Sequence, residues 1–133
     1  MARNVGATRA VVGIVDDDPA VRNSLKFSLE LEGFSVGTYG SAAELLRAQD
    51  LSRFNCLVID YNMPGMNGLD LVTRLRELHV SAPAILITTD PPKTLLARAD
   101  RARVRIVEKP LLGNTLVDRI VEAIGPDGPS TVN

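Results

Sequence analysis

The 133-residue sequence is poor in several residue types: it has one cysteine, one histidine and no tryptophan, and 4% of its residues are aromatic. A lone cysteine, Cys56, cannot form an intramolecular disulfide, which is typical of a protein that folds in a reducing compartment. Zinc sites are built mainly from thiolates and imidazoles, and the few residues of these kinds make a zinc centre improbable. Stability must therefore come from an ordinary hydrophobic core.

Long apolar runs and an excess of one charge are missing as well. No window approaches the roughly 20 apolar residues of a membrane span, and the first ten residues lack the apolar stretch of a signal peptide. Fifteen basic and sixteen acidic residues give a net charge of -1. This balance argues against a general binder of nucleic acid or membrane surfaces. We expect a cytoplasmic protein that contacts neither directly.

The apolar content, in contrast, is ample for one core. Apolar residues make up 45% of the chain and charged residues 23%, and a chain of this length buries about two-thirds of its unfolded surface on folding. We predict one domain over residues 10–125. An N-terminal extension (1–9) precedes it and a flexible C-terminal tail (126–133) follows it.

Within this domain, short apolar runs alternate with segments of helical periodicity. The predicted strands cover residues 10–15, 34–39, 56–59, 84–88 and 104–107. The first helix is expected to begin at Pro19 with Asp18 as its N-cap, and to stop at Gly33. Ser41 and Glu44 form a capping box at the start of a short second helix.

Three further helices complete the pattern. They are predicted from Leu69 to Leu78, over 94–102, and from Leu112 to Ile124, where Gly125 ends the chain's last helix. Such alternation predicts an α/β fold, a five-stranded parallel sheet doubly wound by helices. Four arginines between Arg98 and Arg105 are interpreted as a solvated helix face with salt links, in preference to a site for an acidic partner.

In sheets of this kind, ligands bind beyond the carboxyl ends of the strands. Five polar residues end or follow a predicted strand and are expected to converge on that rim: Asp16, Asp17, Asp60, Thr88 and Lys109. Clustered carboxylates repel one another unless a cation neutralises them, and oxygen ligands favour Mg²⁺. A lysine and a threonine beside them suit a phosphoryl group. Asp60, at the end of the middle strand, is the candidate nucleophile for an acyl phosphate.

The same residues stand in motifs that resemble the receiver domain of bacterial two-component response regulators. The motifs are VDDDPAVR, VIDYNMPGMNGLDL, ITT and EKP, and the resemblance covers about residues 10–125. The separations of Asp17 from Asp60 and of Asp60 from Thr88 match those of receivers. The resemblance implies the flavodoxin-like, (βα)5 receiver form of the predicted fold.

By this resemblance, Asp60 is the phosphoacceptor. Mg²⁺ is bound by Asp16, Asp17, Asp60 and the backbone carbonyl of Asn62. Lys109 pairs with the phosphoryl group, and Thr88 hydrogen-bonds it and moves toward it as the switch. The resemblance also implies a cis peptide bond between Lys109 and Pro110.

Three positions depart from the usual receiver pattern or are expected to modulate the site. Ile106 replaces an aromatic residue whose exposure changes on activation in receivers. Thr89 stands where alanine or glycine is common, and its β-branched side chain is expected to crowd phosphodonors. Asp90 is expected to influence the access of water, and Pro91 and Pro92 stiffen the loop after it.

The implied function is a signalling switch: a histidine kinase transfers a phosphoryl group to Asp60, and the altered surface acts on an unknown downstream protein. After Ile124 the sequence leaves no room for a DNA-binding helix-turn-helix, so direct contact with nucleic acid is not expected. The protein is predicted to be a monomer or weak homodimer. It is not expected to be an enzyme beyond self-catalysed transfer and slow autodephosphorylation.

Two alternatives belong to other functional classes. A divergent receiver can serve as a constitutive, phosphorylation-independent interaction module, although a complete acid cluster argues against a lost site. A metal-dependent hydrolase with an aspartyl nucleophile is also conceivable on an α/β sheet. Such enzymes need a second acid two residues after the nucleophile, where this sequence has Asn62.

Overall fold

A computed structural model describes residues 10–111 and 114–125 of the chain. The strands are β1 (Val11–Val15), β2 (Ser35–Tyr39), β3 (Cys56–Asp60), β4 (Ala84–Thr88) and β5 (Arg105–Glu108). The helices are α1 (Pro19–Leu31), α2 (Ala42–Leu46), α3 (Gly68–Glu77), α4 (Lys93–Arg101) and α5 (Thr115–Ile124), with a 3-10 turn at Leu51–Arg53. The predicted extension, the tail and Leu112 lie outside the described residues. In the described part of the chain, every helix is too short or too polar to cross a membrane.

The five strands form one parallel sheet in the order β2-β1-β3-β4-β5. This confirms the predicted fold class and puts β3 in the middle of the sheet. The side chains of β3 alternate between two hydrophobic cores: Leu57 and Ile59 belong to one, and Cys56 and Val58 belong to the other. Because helices cover both faces, β3 and β4 are apolar up to their last residue.

The predicted helix ends are those of the structure at α1 and α2. The Asp18 side chain accepts a hydrogen bond from the Ala20 backbone N–H at 2.9 Å, and Gly33 after α1 has a φ of 100°. Ser41 Oγ accepts a hydrogen bond from the Glu44 N–H at 3.0 Å, and the Glu44 carboxylate accepts one from the Gly40 N–H at 2.9 Å.

Two strands begin later than predicted, because the first residue of each predicted strand still belongs to the C-terminal cap of the preceding helix. Phe34, predicted to open β2, still donates its N–H to the Leu29 carbonyl of α1, and β2 begins one residue later. Val104, predicted to open β5, donates to Ala99 of α4 in the same way. The helix predicted over 94–102 begins and ends one residue earlier, because Pro92 is its N-cap and Ala102 its C-cap. The 3-10 turn was not predicted.

Gly68 allows α3 to start directly beneath the end of β3. Its N–H donates to the Tyr61 carbonyl at 2.9 Å, and a Cβ at this position would lie 2.8 Å from the Asp60 carbonyl oxygen. Any larger residue would therefore push the backbone of α3 away from β3. The loop after Asp60 is thus held by a close backbone contact as well as by the sheet.

Candidate functional site

Three carboxylates meet where β1 and β3 end. Val15 of β1 is in register with Ile59 of β3, so Asp16 and Asp60 occupy equivalent places on neighbouring strands. Asp16 is 1% exposed and Asp60 4%, whereas Asp17 faces solvent. One oxygen from each of the three side chains lies within 4.8 Å of the others.

Asp16 is held by hydrogen bonds with its neighbours, but only one of its two carboxylate oxygens accepts a hydrogen bond among the described residues. Its Oδ1 accepts a hydrogen bond from the Asp18 N–H at 2.9 Å, while its Oδ2 is buried and finds no hydrogen-bond partner among the described residues. The Arg22 guanidinium donates to the Asp16 carbonyl at 2.7 Å. Arg22 was not singled out from the sequence, because a contact with a backbone oxygen six residues earlier leaves no motif.

Burial disfavours the ionised form of the two buried carboxylates of this cluster, Asp16 and Asp60. Desolvation raises the pKa of Asp16, against the Asp18 hydrogen bond and the charge of Lys109, which lower it. Desolvation also raises the pKa of Asp60, and the negative charge of Asp16 adds to that effect. Lys109 and a backbone hydrogen bond from Asn62 act in the opposite direction on Asp60. The positive charge of a bound cation would counteract both upward shifts, because it favours the ionised carboxylates.

Lys109 reaches into the cluster from the end of β5. Its Nζ lies 3.4 Å from Asp60 Oδ1, and its side chain is 31% exposed. Its own N–H donates to the Thr88 carbonyl at 2.9 Å, and its peptide bond with Pro110 is cis, as the resemblance implied. Charge-assisted hydrogen bonds are typically about 2.7–2.9 Å long, so the contact between Lys109 and Asp60 is longer than a strong hydrogen bond.

Thr88 ends β4, the neighbour of β3 on the other side, and is 1% exposed. Among the described residues its hydroxyl makes a single weak hydrogen bond, to the Thr89 carbonyl at 3.4 Å. Thr89 and Asp90 are exposed, and Asp90 has a φ of 52°. The switch hydroxyl predicted from the sequence is thus buried at the rim and weakly engaged.

The remaining candidates are less closely tied to the acids. Asn62 is exposed, and its backbone N–H contacts the Asp60 carboxylate. Ile106 is half-buried on β5, in register with Leu86 of β4, and packs against the core on the α3 side of the sheet. Ile106 belongs to the sheet's packing rather than to the cluster itself.

The donor set fits a hard divalent cation such as Mg²⁺. All three side chains supply carboxylate oxygens, which are the preferred ligands of that ion. The buried, partnerless Oδ2 of Asp16 is a further sign, because such an oxygen is costly unless something binds it. Cys56 does not belong to this site: it is buried in β3, and desolvation raises the pKa of its thiol to about 12.

Comparison with known proteins agrees with this architecture. The model of the family described as "Response regulator receiver domain" matches residues 12–121. Nodulation protein W of Bradyrhizobium diazoefficiens is 37% identical over 123 residues, which are 91% of this chain and 54% of that protein. Transcriptional regulatory protein FixJ of Rhizobium meliloti is 35% identical over 117 residues, 87% of this chain and 57% of that one.

The structural comparison gives the same result. The structure of the Vibrio cholerae chemotaxis protein CheY4 superposes with a TM-score of 0.79 at 26% identity and covers 87% of this chain and 99% of that one. The chain spans about half the length of the curated relatives it matches.

Proposed function

The chain belongs to the response regulator receiver family, and from that premise we propose that it is a phosphorylation-controlled switch whose phosphoacceptor is Asp60. The observation that carries the proposal is the position of the Asp60 carboxylate, which has two further carboxylates within 4.8 Å and the Lys109 ammonium at 3.4 Å. A central carboxylate flanked by cation ligands and a fixed lysine is suited to phosphoryl transfer by positioning and charge neutralisation.

The proposed reaction is a displacement at phosphorus. A carboxylate oxygen of Asp60 forms a bond to phosphorus as the bond to the donor, a phosphohistidine of a kinase, breaks, and the electron pair of that bond leaves with the imidazole. Asp16, Asp17, Asp60 and the Asn62 carbonyl would hold Mg²⁺. When bound, that ion neutralises the carboxylates and the oxygens of the phosphoryl group.

Two side chains, those of Lys109 and Thr88, would interact with the phosphoryl group on Asp60. The ammonium of Lys109 pairs with the added negative charge, since it already faces Asp60 across 3.4 Å. The Thr88 hydroxyl donates one weak hydrogen bond, which it can exchange at little cost for a hydrogen bond to a phosphoryl oxygen. Its movement would carry the loop between β4 and α4 with it, which links the covalent event to the outer surface.

Sustained hydrolysis is not part of the proposed function. Asn62 stands where an aspartyl hydrolase needs a second acid, and its amide cannot act as a general base. We therefore expect a signalling protein that loses its phosphoryl group slowly.

The direct test is the intact mass of the protein after incubation with phosphoramidate and Mg²⁺. The expected result is a gain of one phosphoryl group that needs Mg²⁺ and is lost on treatment with hydroxylamine, which cleaves acyl phosphates but not phosphate esters. A folded protein that gains no mass from phosphoramidate or from a kinase donor would exclude the switch and favour the constitutive interaction module. A hydroxylamine-resistant adduct would exclude an aspartyl phosphate.

The kinase must also touch the elements that surround the rim, and α1 is one of them, since it begins directly after the Asp16–Asp18 loop. Two large apolar side chains on α1 face solvent: Phe27 is 66% exposed and Leu31 is 69% exposed. Being four residues apart, they lie on one helix face. Contiguous exposed apolar patches mark interaction surfaces more often than single apolar side chains do, and we propose that this pair contacts the kinase.

Replacing Phe27 with alanine is expected to slow phosphoryl transfer from a kinase about tenfold or more, since a buried aromatic anchor commonly contributes about 2 kcal/mol or more to an interface. Phosphorylation by phosphoramidate should proceed at the natural rate. Radiolabelled kinase and time-resolved gel analysis measure the first rate, and intact mass measures the second. Leu78→Ala, which removes another exposed apolar group at the end of α3, serves as control. Equal slowing of both variants contradicts the prediction.

A further inference from the structure

A second surface feature lies between α3 and α4, and its lining contains none of the acidic residues of the cluster. It is an open cleft of about 290 Å³, lined by Leu69 and Thr73 of α3 and by Arg98, Arg101 and Ala102 at the end of α4. Leu69 is 2% exposed and forms an apolar floor, and both arginines are exposed. The cleft therefore combines an apolar base with two cations at its edge.

Among the described residues, the salt links expected from the sequence for the four arginines between Arg98 and Arg105 are formed only in part. Arg105 pairs with Glu122 of α5 at 3.1 Å. Within residues 10–111 and 114–125, however, Arg98 and Arg101 have no ion pair and no side-chain hydrogen bond. Being three residues apart, they lie on the same face of α4. Two guanidinium groups, with all of their donors available, thus border one cleft.

The lining contains no group that could neutralise them. Thr73 uses its hydroxyl proton to bond the Leu69 carbonyl at 3.1 Å, so the arginines are the donors of the cleft. Asp70 and Glu77 stand three residues before and four residues after Thr73, on the same side of α3. Glu77 is paired with Arg74 at 3.2 Å. The two cations are therefore bordered by the Asp70 carboxylate on one side and by the ion-paired Glu77 on the other.

From these observations we propose that the cleft between α3 and α4 binds a short acidic segment of a partner protein. Carboxylates of the segment would pair with Arg98 and Arg101, whose planar guanidinium groups suit bidentate contact with carboxylates. An apolar side chain of the segment would cover Leu69 and Ala102. The bordering Asp70 and Glu77 disfavour a long polyanion such as DNA, which would have to pass over them. This site is proposed on observations that do not involve Asp60 or its phosphorylation.

The test uses the full, unphosphorylated chain without Mg²⁺. Short fluorescein-labelled peptides that carry two glutamates around a leucine are titrated by fluorescence anisotropy, beside matched peptides with glutamine in place of glutamate. Binding of the glutamate peptides is expected to weaken about tenfold or more in the double variant Arg98→Gln/Arg101→Gln, which corresponds to about 1.4 kcal/mol. The variant Arg47→Gln/Arg103→Gln removes two exposed arginines that do not line the cleft and should bind as the natural chain does.

Each other outcome overturns the proposal. Equal weakening in both double variants means attraction to net charge without a site, and equal binding of the glutamine peptides means that carboxylates are not recognised. Inorganic phosphate or duplex DNA that competes at concentrations below those of the peptides would assign the cleft to another anion. Amide shifts in ¹⁵N-resolved NMR spectra should be concentrated in α3 and α4, and shifts centred elsewhere would place the peptide at a different surface. Failure of every peptide to bind rejects the inference and leaves the proposed role of Asp60 untouched.

Discussion

Replacing Asp60 with asparagine is expected to abolish acyl phosphate formation. The amide keeps the size of the side chain in its buried place at the end of β3, but it removes the carboxylate oxygen that attacks phosphorus. The expected readout is the complete loss of the phosphoryl mass gain with phosphoramidate and Mg²⁺. Because Asp60 is 4% exposed and crowded by Asp16, removal of its charge should not weaken the fold.

The matched control is Asp70→Asn. It makes the same chemical change at an exposed acid in the first turn of α3, and it should gain one phosphoryl group at the natural rate. Circular dichroism must show that both variants are folded. A full mass gain in Asp60→Asn would move the phosphoacceptor to another residue, and tryptic mapping would find it. Loss in both variants would point to damage to the loop between β3 and α3.

The convergence of the acids could be predicted because it follows from topology alone. Asp16 and Asp60 come directly after apolar runs, and in a parallel sheet the carboxyl ends of strands share one edge. β4 was predicted over Ala84–Thr88, the residues it has in the structure, since its uninterrupted apolar run stops at a polar residue. Structural features that depend on one strand and the loop that follows it can thus be predicted from the sequence.

Features that depend on contacts between distant or irregular segments were not predicted. The start of β5 is displaced because Arg103 adopts a φ of 59° and keeps Val104 in the cap of α4. The support of the Asp16 carbonyl by Arg22 arises only once α1 packs beside the loop. That Arg98 and Arg101 lack an ionic partner among the described residues depends on which acids the fold brings near them. Periodicity carries no information on any of these contacts.

Replacing Asp16 with asparagine is expected to raise the free energy of unfolding of the Mg²⁺-free protein at neutral pH by about 1–3 kcal/mol, the usual cost of a buried polar atom without a partner. The amide oxygen can keep the hydrogen bond from the Asp18 N–H. The amide nitrogen takes the place of the partnerless Oδ2 and can donate to a neighbouring carboxylate. Since Asp16 is one of the proposed Mg²⁺ ligands, the same change should also remove most of the stabilisation expected from added Mg²⁺.

The pH dependence should have a definite sign. Burial raises the pKa values of Asp16 and Asp60 above the ordinary 3.8, so around and above that value the folded state holds more protons than the unfolded state. Stability from these two groups is therefore greatest below the ordinary pKa and is lost as the pH rises through the raised values. In Asp16→Asn this loss should be smaller, because one acid is gone and Asp60 no longer faces its charge.

Urea denaturation followed by circular dichroism, with EDTA or with Mg²⁺, at pH 5 and pH 8, measures all three effects. Asp17→Asn is the matched comparison: Asp17 belongs to the same cluster but faces solvent. It should reduce the response to Mg²⁺ without stabilising the Mg²⁺-free protein. That difference separates the cost of burying a charge from the binding of the ion. If Asp16→Asn instead destabilises the protein in EDTA at both pH values, the Asp16 carboxylate is a structural hydrogen-bond acceptor. The prediction that its burial lowers the free energy of unfolding would then be wrong.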